Sequence, residues 1–272
     1  MNFRKHLTIA SLALLSALFI ASCEKDDDSQ VSNKTGKATM KFNLTDAPAN
    51  YDAVNIDIKE VKVHVSNTGD ATNPDGWITL ANIQPGIYNL LDFQNGLDTL
   101  IASGDVPAGK VSQIRLILGP NNEVVVNGVP EPLKTPSAQQ SGLKLQVNYI
   151  LQPGIVYEFW LDFDAQRSIV AKGNGGYNLK PVIRVFTKNT TGSIDGYISP
   201  VAAHSSVLAY NAAGDSASAM SDTITGYFLL SGLNPAAYTV EFDPISPYLP
   251  KDTMGINVTA GVVTHLDSIA IQ

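Results

Sequence analysis

From residue 38 onward, apolar and polar side chains alternate with period two, and Gly, Pro, Asn and Asp clusters break the alternation about every eight to twelve residues. Period two sends successive side chains to opposite faces of a pleated strand. The chain is therefore read as all-β: two β-sandwich domains in tandem, after a cleaved signal peptide and a disordered tether. The clearest strands are predicted at 39–44, 111–118, 143–150, 157–163 and 181–186. Between 54 and 65 the inward set runs Val54, Ile56, Ile58 and then jumps to Val61, Val63, Val65. A one-residue slip of this kind predicts a β-bulge near Lys59-Glu60. Only 96–103 reads as helical, with Leu97, Leu100 and Ile101 on one face.

A phrase recurs as Ile83-Gln84-Pro85-Gly86, Val106-Pro107-Ala108-Gly109, Leu151-Gln152-Pro153-Gly154 and Leu233-Asn234-Pro235-Ala236. Proline presets a turn and the small residue eases the next bend, so these are read as strand-entry turns. Their unequal intervals argue against a true repeat. The polar, apolar-free stretch Lys188-Asn189-Thr190-Thr191-Gly192 is the linker candidate, dividing the chain into blocks 38–188 and 192–272.

The N-terminus follows a different pattern. Arg4 and Lys5 precede an apolar run from 7 to 20, and Glu24-Lys25-Asp26-Asp27-Asp28 follow it closely. That is the layout of a secretory signal, and the run falls short of the roughly twenty residues of a spanning helix. Ile20-Ala21-Ser22-Cys23 resembles the lipobox of bacterial lipoproteins, which implies cleavage after Ser22 and acylation of Cys23. Cys23 is the single cysteine, so it has no disulfide partner in the chain. Residues 1–22 are then the signal peptide and 23–37 an acidic flexible tether. The run Lys25, Asp26, Asp27, Asp28 resembles the surface-export signal of Bacteroidetes-type lipoproteins; as polar sequence it also reads simply as a solvated tether. The expected location is the outer membrane, lipid-anchored and facing the exterior.

The formal net charge is −7, and loss of Arg4 and Lys5 with the signal makes the remainder more acidic. Nucleic acid is therefore not an expected partner.

The first block carries Leu44-Thr45-Asp46-Ala47-Pro48, Tyr51-Asp52-Ala53-Val54, Gly76-Trp77, Leu90-Leu91-Asp92, Gly104-Asp105-Val106-Pro107-Ala108-Gly109-Lys110, Gln113-Ile114-Arg115-Leu116, Ser141-Gly142-Leu143-Lys144 and Leu161-Asp162-Phe163-Asp164. In that order they resemble a bacterial lipoprotein family known as domain of unknown function 4382, a resemblance that implies no particular activity. The second block carries Gly192-Ser193-Ile194-Asp195-Gly196-Tyr197-Ile198, Gly226-Tyr227-Phe228 and Gly232-Leu233-Asn234-Pro235-Ala236-Ala237-Tyr238-Thr239-Val240. It resembles the carboxypeptidase regulatory-like domain, which implies a seven-stranded, transthyretin-related sandwich grouped with carbohydrate-binding-like folds. Where that family has Pro-Ala-Gly before the tyrosine, this chain has Pro235-Ala236-Ala237.

Chemistry is sparse. Past the signal, His64, His204 and His265 lack the spacing of a zinc site, no G-x-S-x-G elbow occurs, and Gly173-Asn174-Gly175-Gly176 reads as a hairpin tip instead of a phosphate loop. No catalytic residue, metal site or cofactor is expected, and the chain is read as a non-enzyme. One segment is a candidate ligand site: alternation across 157–164 puts Tyr157, Phe159, Leu161 and Phe163 on the core face and Glu158, Trp160, Asp162 and Asp164 on the other. An exposed indole beside carboxylates suits a sugar, and carboxylates two residues apart suit calcium, although no EF-hand spacing is present; the alternative is that Trp160 packs on a loop or the neighbouring domain while the aspartates are solvated or cap turns. The Asp-Ser/Thr-aliphatic pattern at Thr99, Ser216, Thr223, Thr253 and Ser268 resembles an O-glycosylation acceptor motif, and Asp-Ser/Thr pairs are also ordinary turn residues. The functional expectation is a non-catalytic cell-surface binding or display module with glycan as the favoured ligand. The alternative is a structural or adhesive subunit of a surface protein assembly.

Overall fold

In a computed structural model, the described residues are 36–47, 49–66, 74–135, 142–173 and 175–272. Cys23 and the export run at 25–28 lie outside them. The first block contributes β1 (Lys37–Ala47), β2 (Ala53–Ser66), β3 (Trp77–Thr79), β4 (Asn82–Ile83), β5 (Gly86–Asn89), β6 (Thr99–Pro107) and β7 (Gly109–Leu118). It continues with β8 (Glu123–Val126), β9 (Val129–Lys134), β10 (Leu143–Leu151), β11 (Val156–Asp164), β12 (Ile169–Ala171), β13 (Tyr177–Leu179) and β14 (Ile183–Phe186). A five-stranded sheet runs β14-β11-β1-β6-β4, and the backbone of a nine-stranded sheet runs β10-β7-β2-β8-β9-β13-β12.

Alternation builds the core between them. Met40, Phe42 and Leu44 of β1 and Phe159, Leu161 and Phe163 of β11 are fully buried against Val61 and Val63 of β2 and Ile114 and Leu116 of β7. The β2–β7 register shifts between Ile58 and Glu60, so the bulge sits where the slip in the apolar pattern places it.

The second block folds as β15 (Gly192–Ser199), β16 (Ser206–Tyr210), β17 (Ser216–Met220), β18 (Tyr227–Leu233), β19 (Ala237–Asp243), β20 (Lys251–Asn257) and β21 (Val263–Ala270). The sheets β18-β15-β21 and β17-β16-β19-β20 enclose a separate core containing Ile194, Val207, Phe228, Leu230, Tyr238, Val240 and Phe242. The fold is thus all-β, two sandwiches in tandem, and both belong to one compact unit.

One local expectation changes. Residues 96–103 do not form a helix: Thr99–Pro107 is a strand antiparallel to β1, with Ile101 and Ala102 buried and Leu97 exposed. The spacing of Leu97, Leu100 and Ile101 fits a short helix as well as a strand, and the free edge of β1 decides the outcome. Residues 187–191 form a hydrogen-bonded turn: the Thr190 and Thr191 amides and the Thr191 hydroxyl all donate to the Thr187 carbonyl.

Candidate functional site at the junction of the two sandwiches

Alternation along β14 turns Ile183 and Val185 toward the first core and leaves Arg184 and Phe186 on the outer face of the sheet. The β11–β14 register sets Trp160 opposite Phe186 and Asp162 opposite Arg184. On β18, Phe228 and Leu230 fill the second core, so Leu229 and Ser231 face the other way. These outward sets meet.

Trp160 is 8% exposed. Its indole N–H donates to Asp98 Oδ2 at 2.7 Å, its ring stacks on Phe186 at 6.1 Å, and Lys188 Nζ lies 4.2 Å from the ring centroid. Arg184 pairs with Asp162 through Nε at 2.9 Å and through a terminal nitrogen. The same guanidinium donates to the Ser231 carbonyl at 3.0 Å and the Gly232 carbonyl at 3.4 Å. A second link comes from the loop before β6, where the Asn95 amide donates to the Met220 carbonyl and accepts from the Leu229 amide. Packing is tight: a Cβ added to Gly96 would stand 2.6 Å from Leu229, and one added to Gly232 2.5 Å from Phe186.

The four candidate ligand residues therefore have different surroundings. Glu158 is exposed and accepts from the Asn43 amide at 3.2 Å, beside a cavity of ≈ 450 Å³ that Tyr149, Val156, Trp160 and Lys188 also line. Trp160 and Asp162 are consumed by the junction. Asp164 caps the helix α1 (Ala165–Ser168), accepting from the Arg167 amide at 2.8 Å, and burial pushes its carboxyl up. The open indole platform expected from alternation is not formed at Trp160, because Phe186 and Lys188 pack on the ring and Asp98 holds its N–H. The packed alternative is what the geometry displays.

Asp46 is not singled out by its sequence context. Burial, and then the charge of Asp162, hold its carboxyl well above the usual range. One oxygen accepts from the Ala165 amide at 3.2 Å and the other has no hydrogen-bond partner among the described residues. Nothing in the motif Leu44-Thr45-Asp46 distinguishes a buried acid from a turn residue; only the pairing of β1 with β11 does.

The histidines stay apart. His64 is buried, 3.1 Å from the Ser112 hydroxyl and edge-on to Trp77, while His265 Nδ1 sits 2.6 Å from Asp195 on the outer face of β15 and β21. Beside Asp195, the Tyr227 hydroxyl is pushed up to about 12, first by burial and then by the Asp195 charge. Among the described residues, no three metal-ligating side chains are grouped to hold an ion. Of the acceptor-motif residues, Thr223 and Ser268 are exposed, whereas Thr99, Ser216 and Thr253 are half-buried in strands. Three of the motif aspartates have structural partners: Asp98 holds Trp160, Asp215 accepts from the Asn234 amide and the Tyr238 hydroxyl, and Asp222 accepts from the Ile224 and Thr225 amides.

The fold and junction define a class, the two-sandwich protein with a covered polar seam. Within it the chain belongs to the family described as Domain of unknown function (DUF4382), whose model matches residues 37–181. No curated protein matches the sequence. Solved structures similar to the chain include the Bacillus anthracis TIE protein, at 12% identity over 87% of this chain and 34% of that one, with a TM-score of 0.25. The chain thus spans about a third of that protein's length. Others are the shaft pilin SpaA of Lactobacillus rhamnosus GG, at 11% identity, 87% and 96% coverage and TM-score 0.22, and the minor pilin GBS52 of Streptococcus agalactiae, at 10%, 85% and 95%, and 0.24. Overlaps this loose carry no functional argument. No helix among the described residues is long and apolar enough to cross a membrane.

Proposed function

We propose that the protein is a non-catalytic surface lipoprotein in which two sandwiches, joined as one body, form a binding and display module at the end of a lipid-anchored tether. The observation that carries the display reading is Arg184, whose guanidinium neutralises Asp162 in the first sandwich while donating to Ser231 and Gly232 carbonyls in the second. Domains meant to move independently have little use for a charge-assisted bond shared across their seam. The anchor rests on Ile20-Ala21-Ser22-Cys23, where two or more acyl chains would give stable attachment. The outward orientation rests on Asp26-Asp27-Asp28. Seven strands in sheets of three and four support reading the second sandwich as a carboxypeptidase regulatory-like domain.

Incorporation of an alkyne-tagged fatty acid, lost in Cys23→Ala, tests the anchor. Protease added to intact cells should cleave the wild type and spare the protein in which Asp26, Asp27 and Asp28 are alanine. Labelling that survives Cys23→Ala, or protease access unchanged by the triple substitution, would overturn the reading. The assembly-subunit alternative draws on the edge strand β20, where Met254 is 74% exposed; stoichiometric co-purification of a partner protein would favour it.

A further inference from the structure

The nine-stranded sheet carries a charge arrangement that only its register makes visible. Arg115 of β7 stands opposite Lys62 of β2 on one side and opposite Lys144 of β10 on the other. Each lies between core-facing residues: Val61 and Val63, Ile114 and Leu116, Leu143 and Leu145. The three cations therefore share the outer face of the sheet, on strands spaced about 4.8 Å apart. Like charges directly opposite one another destabilise a sheet, and here two such pairs are adjacent in a chain of net charge −7.

The row is only partly neutralised from within. Glu60 approaches Lys62 at 3.0 Å, and Lys144 has no ion-pair partner among the described residues. Arg115 is held flat: its guanidinium carbon lies 3.7 Å from the Trp77 ring centroid, and Nε donates to Gln113 Oε1 at 3.2 Å. A stacked guanidinium presents its remaining N–H groups edge-on, the geometry that suits carboxylate or sulfate. The exposed Gln146, opposite Gln113, borders the row with an amide able to meet hydroxyls.

We infer that the face bearing Lys62, Arg115 and Lys144 binds an anionic polysaccharide carrying carboxylate or sulfate groups. Charge complementarity selects a polyanion for this basic row on an acidic protein. Cations repeated at the strand spacing match acid groups repeated along an extended sugar chain, and the amide and indole at the border suit hydroxyls and ring faces. An anionic bilayer would instead call for exposed apolar side chains projecting beyond the cations, whereas Trp77 and Ile117 beside the row are half-buried and the Trp77 ring lies under Arg115. The inference rests on the reading of the chain as surface-displayed only for the ligand's availability. Binding by the purified protein is independent of anchoring, so the two can fail separately.

The mature chain, from residue 23 onward, is titrated at low salt with polygalacturonate, neutral dextran and polyglutamate. Polygalacturonate should bind, weaken as salt rises, and lose about tenfold in affinity in Lys144→Glu, the scale of one charge-assisted contact; dextran should not bind and polyglutamate should bind more weakly. Lys144→Ala, which removes the charge without reversing it, gives a smaller loss and stands in should the reversal fail to fold. Absence of polygalacturonate binding, binding unchanged in both variants, or polyglutamate bound as tightly would overturn the inference.

Discussion

Asp162 and Arg184 face each other across the β11–β14 ladder, and Arg184 then reaches past its partner to carbonyls of the second sandwich. The pair is mostly buried, with side-chain exposures of 8% and 28%. Arg184→Met should remove the compensation and leave Asp162 beside the already unfavourable Asp46. Breaking such a pair costs roughly 3 kcal/mol, read as a lower urea midpoint. The seam should loosen as well, so limited proteolysis within 187–191 should accelerate. Adding Asp162→Asn to Arg184→Met should recover part of the stability and none of the protease resistance.

Gly232 and Gly154 offer a matched comparison. Both have positive φ, +72° and +76°, but a Cβ on Gly154 meets nothing within 4 Å while one on Gly232 meets the Phe186 ring at 2.5 Å. Gly154→Ala should cost only the backbone penalty, about 1 kcal/mol. Gly232→Ala should cost that plus displacement of Phe186, and with it the stacking on Trp160. Thermal melts of the two variants, with the Trp160 emission followed in Gly232→Ala, separate the terms.

The contrast between Val54–Val65 and Trp160 shows which parts of this fold are legible in sequence. Strand faces are local: alternation alone places Val61, Val63, Phe159 and Phe163 inward and locates the bulge near Lys59-Glu60. Leu97, Leu100 and Ile101 mislead because so short a segment fits either period, and pairing with β1 chooses between them. Trp160 falls on the correct face, yet whether that face meets solvent or the Phe186, Lys188 and Asp98 side chains depends on segments far away in sequence. Asp46 and the Lys62–Arg115–Lys144 row are invisible for the same reason: each is a relation between strands far apart in sequence, fixed by register.

Asp46 makes stability depend on pH in an unusual direction for a carboxylate. Burial, reinforced by Asp162, raises its folded pKa, so the folded state holds the proton more tightly than the unfolded chain does. Its contribution is complete below the ordinary carboxylate range and is lost as pH rises through the raised folded value. Asp46→Asn keeps an oxygen for the Ala165 amide and never ionises. Urea midpoints measured from acid to neutral pH should show the Asp46→Asn variant gaining on the wild type as pH rises, levelling off once Asp46 is ionised. A difference that is flat with pH would mean that Asp46 titrates alike in the folded and unfolded chain, so that the fold does not raise its pKa.

Lys144→Glu should separate stability from binding. Lys144 lies on β10, at the sheet edge and exposed, opposite Arg115 and away from the core. Reversal converts a repulsive cross-strand pair into an attractive one, and such pairs contribute about 0.2–1 kcal/mol each. The melting temperature should therefore rise slightly at low salt, with the gain shrinking as salt screens the pair. Polyanion affinity should fall in the same variant. If Lys144 were only an edge charge that discourages strand addition, Lys144→Glu would serve that purpose equally well, giving the stability gain with no loss of polygalacturonate binding.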